Sequence, residues 1–315
     1  GALWFSQTLN FSLPVRIGDT ITVIGEVVEK RKKDKSIKIK TDVYNGNSQV
    51  VISGVAQVRI IEEIMEEVKN NVTRVALVFG ATGGIGSATC MELGELGFNV
   101  AVHYRDEPSE ATRIKANIDK RSKSITIIAD ILNELDVVRV INAAITGFGR
   151  IDVVVNCMST PLLNVKFLDV ERDCFDKQMS MDLDTNINIA KGVIPHMLKN
   201  GYGKIIHIGS SLADKLNGEL STYVISKSAL WGLTKSLSHE FAPKGIRVNM
   251  ITPSLVNTSL TADFPEKSKL IMASQSQLRR NAYATEIAGA IGFLASDKSD
   301  YITGQNIRVN GGIYG

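Results

Sequence analysis

Apolar and polar positions alternate along this chain with two different periods, and the change falls near residue 70. Before it, apolar residues recur at every second position, as in TVIGEVV, SIKIKTDV and VVISGVAQV. A strand sends successive side chains to opposite faces, so this period predicts half-buried strands at about 3–10, 20–30, 36–44 and 49–61. Asn45-Gly46-Asn47 between the last two predicts a hairpin turn, because Asn and Gly tolerate positive φ. Ile61 to Asn70 is acidic and helix-prone and reads as a linker. After it, the short apolar runs RVALVF, FNVAVHY, SITIIA, IDVVVN, GKIIHIG and GIRVNMI alternate with helical stretches. Apolar strands alternating with helices predict an α/β fold, a doubly wound parallel sheet covered on both faces. The organisation expected is a β segment at 1–62, a linker at 63–72 and an α/β domain at 73–315.

Composition narrows the function. Of 315 residues, 44% are hydrophobic and 22% charged, the balance of a globular protein with a proper core. A net charge of +3 gives no ground for expecting nucleic acid, which needs clustered Lys and Arg. No apolar run reaches the ~18 residues of a membrane span, and no secretory pattern opens the chain. Cys90, Cys157 and Cys174 have no metal-like spacing and read as free thiols of a reducing, cytoplasmic compartment. The four histidines form no ligand pair on a helix face, so no metal is expected. The chain opens on Gly1-Ala2 rather than Met, which reads as a cloning scar, a processed chain or a fragment.

The first α/β strand runs into Gly80-Ala81-Thr82-Gly83-Gly84-Ile85-Gly86, and a helix follows. Glycines there let the backbone turn tightly and approach a pyrophosphate, while the helix N-terminus offers free N–H groups and a positive dipole end. The next strand ends on Tyr104 and Arg105, where a site for NAD usually has an acidic side chain. Arginine there suits a 2′-phosphate, so NADP(H) is expected, with NAD(H) as the alternative because Asp106 and Glu107 follow. The plainer reading of Arg105 is a solvated loop charge.

Tyr223 and Lys227 stand one helical turn apart in TYVISKSALWGLTKSL, on one face. A phenol is a poor acid or base at neutral pH, and a neighbouring ammonium stabilises its phenolate. Ser210 closes the strand GKIIHIG, where its hydroxyl can face the crevice at the carboxyl end of a parallel sheet. Tyr-x-x-x-Lys alone is equally a plain surface pair.

Together these segments resemble the short-chain dehydrogenase/reductase family from about Thr73 to Gly315, most closely its 3-oxoacyl-[acyl-carrier-protein] reductases. The glycine turn, with Phe79 in place of the usual Thr, matches the family's cofactor turn. The resemblance implies that Asp130, with Ile131 beside it, meets the adenine. It implies that Pro253, Val256 and Thr258 of TPSLVNT lie on the nicotinamide side, Thr258 at the position that contacts the carboxamide. It also implies that Tyr223 protonates a carbonyl oxygen, that Lys227 holds the ribose and tunes Tyr223, and that Ser210 orients the substrate oxygen. Two departures stand out. Asn156-Cys157-Met158-Ser159 replaces the family's Asn-Asn-Ala-Gly, which reshapes the crevice floor. Asp182 occupies the place of a catalytic Asn that helps hold a water in the proton relay, and an ionised Asp cannot donate a hydrogen bond.

Residues 3–61 resemble the C-terminal strands of MaoC-like hotdog hydratases, through the signal Phe-x-x-Pro-Val-x-x-Gly-Asp-Thr. The family's catalytic Asp and His lie upstream of these strands, so the segment is not expected to act as a hydratase. The leading expectation is NADP-dependent reduction of a 3-oxoacyl thioester, with acyl carrier protein as a further partner. A homodimer or homotetramer is expected, pairing through two long helices at about 165–199 and 221–242. The alternatives are a catalytically weak scaffold or binding subunit, favoured by Asp182, and a sugar or steroid alcohol dehydrogenase of the same fold.

Overall fold

The computed structural model describes residues 2–31, 34–60, 73–162, 164–213 and 219–313. Contacts divide the chain into two units, Gly1–Val72 and Thr73–Gly315.

The first unit is a four-stranded antiparallel sheet of β1 (Ala2–Phe11), β2 (Thr22–Arg31), β3 (Ser36–Tyr44) and β4 (Val50–Ile60), in the order β1-β4-β3-β2. The β3–β4 turn forms where the sequence places it, but by a different device. Asn45 Oδ1 accepts from the N–H groups of Asn47 and Gln49, both at 3.0 Å. The positive φ of 62° falls on Ser48, outside the three residues credited with it. Val51, Ala56 and Val58 are buried, whereas Trp4, Phe11 and Val23 are 55%, 75% and 60% exposed. The expected linker lies outside the described residues.

The second unit is a seven-stranded parallel sheet. Its strands are β5 (Val75–Phe79), β6 (Asn99–Tyr104), β7 (Ser124–Ile128), β8 (Val153–Asn156), β9 (Gly203–Ile208), β10 (Ile246–Pro253) and β11 (Asn306–Val309). Their order is β11-β10-β9-β8-β5-β6-β7. The helices are α1 (Gly84–Glu95), α2 (Pro108–Ile118), α3 (Glu134–Phe148), α4 (Arg172–Met179), α5 (Thr185–Asn200), α6 (Ser221–Phe241), α7 (Glu266–Gln275) and α8 (Ala284–Ala295). Alternate strand residues feed two separate cores. Leu77, Phe79 and Val154 pack with Val140 of α3 and Val193 of α5, while Ala76, Val78 and Val155 pack with Leu93 of α1 and Ile291 of α8. Both faces are therefore covered, which is why the strands read as unbroken apolar runs.

The chain builds outward from β5 through β6 to β7 and then returns to the other side of β5 at β8. Connections on the two sides diverge there, and a crevice opens at the carboxyl ends of β5 and β8. One long helix expected over 165–199 is not continuous. It starts only at Arg172, after a short 3-10 turn at Phe167–Asp169, and a π turn at Ser180–Asp184 separates α4 from α5. Periodicity taken over a window of about 11–18 residues averages across a five-residue turn, so the pattern predicts one helix where the structure has two.

Candidate active site

A cavity of about 510 Å³ occupies this crevice. Its glycine-turn side is shaped by backbone. Gly80 has a φ of +67°, and a Cβ there would stand 2.9 Å from the Met158 backbone nitrogen. A Cβ on Gly86 would meet the Gly80 carbonyl oxygen at 2.1 Å, so α1 packs directly onto the turn. The N-cap of α1 is Gly83, which has no side chain to occupy the free N–H groups, and the first turn holds no acidic residue. Gly83, Gly84 and Ile85 line the cavity, which gives it the donors and the dipole end that suit an anion.

Arg105 also lines this side, half-exposed and hydrogen-bonded through Nε to Asp106. That bond to the Asp106 carboxylate raises its guanidinium above the ordinary value. Behind the turn lies His103, fully buried in β6. The Gly80 N–H donates to its Nδ1 at 3.2 Å, and its Nε2 is 3.2 Å from the Ala129 carbonyl oxygen. Burial lowers the imidazole to about 4 despite the bond to Ala129. The sequence offered one signal for this residue, a polar side chain inside the apolar run NVAVHY.

The opposite side carries Ser210, just past β9, and Tyr223 and Lys227 on α6, all lining the same cavity. The Leu212 N–H donates to Ser210 Oγ at 3.2 Å. Lys227 Nζ donates to the Ile208 carbonyl oxygen at 3.1 Å and lies 5.7 Å from the centre of the Tyr223 ring. Asp182 does not line the cavity. Its Oδ1 is 2.8 Å from Lys227 Nζ, and both side chains are almost wholly buried. The other oxygen accepts from Gln178 Nε2 at 2.6 Å and from Ser226 Oγ at 2.7 Å. Gln178 Oε1 in turn accepts from Thr160 Oγ1, a residue of the cavity wall, at 2.9 Å. The carboxylate is thus fully engaged. The π turn is what carries Asp182 inward, with the Thr185 N–H reaching back to the Ser180 carbonyl. Burial disfavours the Lys227 charge, yet the Asp182 carboxylate and the Tyr223 phenol hold the ammonium above the usual lysine value.

Of the other residues singled out from sequence, Thr82, Pro253, Val256 and Thr258 line the cavity. Thr258 sits against the glycine turn, its Cγ2 2.5 Å from where a Gly84 Cβ would be. Tyr104, Asp130 and Ile131 lie outside the wall: Asp130 Oδ1 accepts from the Leu132 N–H, and the Ile131 side chain belongs to the core. Asn156 is buried, donating to Asn186 Oδ1 at 3.3 Å and accepting from the Met158 N–H at 3.1 Å, so it braces β8 against α5. Cys157 and Met158 do form part of the floor, and burial pushes the Cys157 thiol up to about 12. Leu162, Leu212, Leu260, Phe264 and Met272 add apolar wall to the cavity. Among the described residues no cluster of His, Cys, Asp or Glu could hold a metal ion, and no helix is long and apolar enough to cross a membrane.

Comparison with known proteins identifies the family. A family model described as enoyl-(acyl carrier protein) reductase matches residues 80–314. A 3-oxoacyl-[acyl-carrier-protein] reductase of Staphylococcus aureus (strain MW2) is 35% identical over 243 residues, which is 77% of this chain and 98% of the relative. An acetoacetyl-CoA reductase of Allochromatium vinosum is 32% identical over 245 residues, 76% of this chain and 98% of the relative. Among solved structures, a short-chain type dehydrogenase/reductase from Mycobacterium ulcerans superposes with a TM-score of 0.71 at 26% identity, covering 76% of this chain and 89% of its own. The chain belongs to the short-chain dehydrogenase/reductase family and is an oxidoreductase acting on CH–OH groups.

Proposed function

We propose that the crevice reduces a 3-oxoacyl thioester to the 3-hydroxyacyl thioester with NADPH. The observation that carries this reading is the single cavity that joins an uncapped helix N-terminus and Arg105 on one side to Ser210, Tyr223 and Lys227 on the other. The glycine turn fits a pyrophosphate, and Arg105 fits a 2′-phosphate once it turns from Asp106. Asp130, Ile131, Tyr104 and Asn156 would serve such a nucleotide through backbone or by bracing rather than by lining the wall. When bound, the nicotinamide supplies hydride to the carbonyl carbon. Tyr223 donates its phenolic proton to the oxygen, Ser210 hydrogen-bonds that oxygen, and Lys227 stabilises the phenolate left behind. Asp182 acts through Lys227: it fixes the ammonium beneath the phenol and offsets part of its charge. The apolar part of the wall suits an acyl chain, and the names of the two curated relatives support the thioester class.

The family model's description points to enoyl reduction, which needs hydride at a carbon–carbon double bond instead. Steady-state turnover with acetoacetyl-CoA and crotonyl-CoA, each with NADPH and NADH, separates the two. The expected result is acetoacetyl-CoA reduction with NADPH binding more tightly than NADH. Faster turnover of crotonyl-CoA, or turnover of neither, would overturn the reading.

The antiparallel unit we read as the closing strands of a MaoC-like hotdog, which would join material of hydratase type in one chain with a reductase that makes a hydratase's substrate. Its exposed Trp4, Phe11 and Val23 are what a sheet that normally meets a further element would present. Pairing of α4–α5 and α6 between copies into a homodimer or homotetramer belongs to the same reading.

A further inference from the structure

We propose that His103 is a positioning residue for the dinucleotide: its imidazole ties the glycine turn after β5 to the Ala129–Asp130 turn after β7. The proposal rests on the nucleotide reading of the cavity given above. His103 lies near the end of β6, the strand between β5 and β7. Its ring reaches both neighbours, accepting from the Gly80 N–H at 3.2 Å and lying 3.2 Å from the Ala129 carbonyl oxygen. A single tautomer serves both contacts, with the proton on Nε2 and the lone pair on Nδ1. The depressed imidazole, at about 4, keeps that neutral form throughout the neutral range.

The backbone around it repeats the tie. The Ala81 N–H donates to the His103 carbonyl at 2.8 Å, and the Ala129 N–H donates to the Tyr104 carbonyl at 3.0 Å. On its other side the Gly80 turn is pressed against the Met158 backbone. The turn is therefore held between β8 and the His103 ring, and it leaves little freedom in how far the uncapped start of α1 projects into the cavity. The Phe79 ring, 5.2 Å away and tilted, fixes the imidazole in turn. Both held atoms belong to turns at the carboxyl ends of the strands, on the side away from Tyr223. A change at His103 should thus alter nucleotide binding and leave proton delivery alone.

Three proteins test this: the wild type, His103→Phe and His103→Asn. Phenylalanine keeps the ring volume and removes both polar contacts. Asparagine places its Oδ1 where Nδ1 was and keeps the bond to Gly80. NADPH affinity is read by nicotinamide fluorescence, KM and kcat by steady-state kinetics, and turn order by hydrogen exchange of the segment 79–86. His103→Phe is expected to raise both Kd and KM for NADPH about tenfold, with kcat at saturation nearly unchanged and faster exchange in 79–86. His103→Asn is expected to recover most of the affinity and the protection. Wild-type affinity and exchange in His103→Phe would overturn the role of His103, as would a fall in kcat that His103→Asn does not restore. A wild type that binds neither NADPH nor NADH would instead overturn the nucleotide site itself.

Discussion

The glycine-turn side of the crevice is lined by the turn and the start of α1, with their backbone N–H groups, and by Arg105 with the neighbouring Asp106 and Glu107. On the Tyr223 side the lining groups are side chains held by a buried ion pair. The first arrangement uses partial charges fixed by strand ends, a helix start and a neutral histidine. It presents the same field at any pH near neutral. The second sets Lys227 between an acid and a phenol, so its field depends on the charge of each partner. One side is built to hold, the other to be tuned.

The sharpest way to separate the two sides is Tyr223→Phe. It keeps the ring and removes the proton, and general acid catalysis contributes about 10²–10⁴-fold, so turnover should fall by that order while NADPH affinity stays at the wild-type value. A parallel loss of affinity, read by fluorescence titration, would mean that the two sides are not independent.

A smaller effect is expected from acid. The buried imidazoles of His103 and His207 are lowered to about 4 and about 3 by burial, against an ordinary value near ~6.5 in the unfolded chain. Around His103 the Asp130 and Asp136 carboxylates favour the proton and Arg139 opposes it. Between these values the unfolded chain binds protons that the folded one excludes. Stability from this source is therefore complete above about pH 6.5 and declines as the pH falls toward 4. Urea unfolding at a series of pH values should show that slope, and His103→Phe should flatten it. An unaltered slope in the variant would place the acid sensitivity elsewhere.

The smallest change expected is the most specific to the Tyr223 side. Asp182→Asn removes the negative charge beside Lys227, so the full field of the ammonium acts on the phenol. The pH–rate profile should move to lower pH, by about one unit or less. The variant also leaves an amide N–H₂ where Gln178 and Ser226 both donate, unless Gln178 turns its amide over. Some loss of stability should accompany the shift. A profile that stays in place would show that Asp182 serves packing alone.

The parallel sheet and the glycine turn were legible in the sequence because they are written locally, as apolar runs of strand length and glycines at fixed spacing. So were Ser210, Tyr223 and Lys227, which all reach one cavity. The π turn was not legible, since periodicity judged over about 11–18 residues averages across a five-residue turn. Nor was the partner of Asp182, because residues 182 and 227 meet only through tertiary packing. Nor were the two contacts of His103, which lie 23 and 26 residues away in sequence. The antiparallel unit was read strand by strand, yet the residue that bends its last turn proved to be Ser48.

The π turn at Ser180–Asp184 also sets a helical phase. One residue beyond a regular turn rotates everything after it by about 100° around the axis. Side chains on α4 and α5 that would share a face in an unbroken helix therefore point in different directions. A deletion of one residue here would leave the composition and the helix propensity nearly untouched, but it would bring the two segments into phase. Asp182 would swing off the axis of Lys227, and a buried ammonium would lose its counter-charge. Length in this stretch is thus as strictly specified as the identity of the acid it carries.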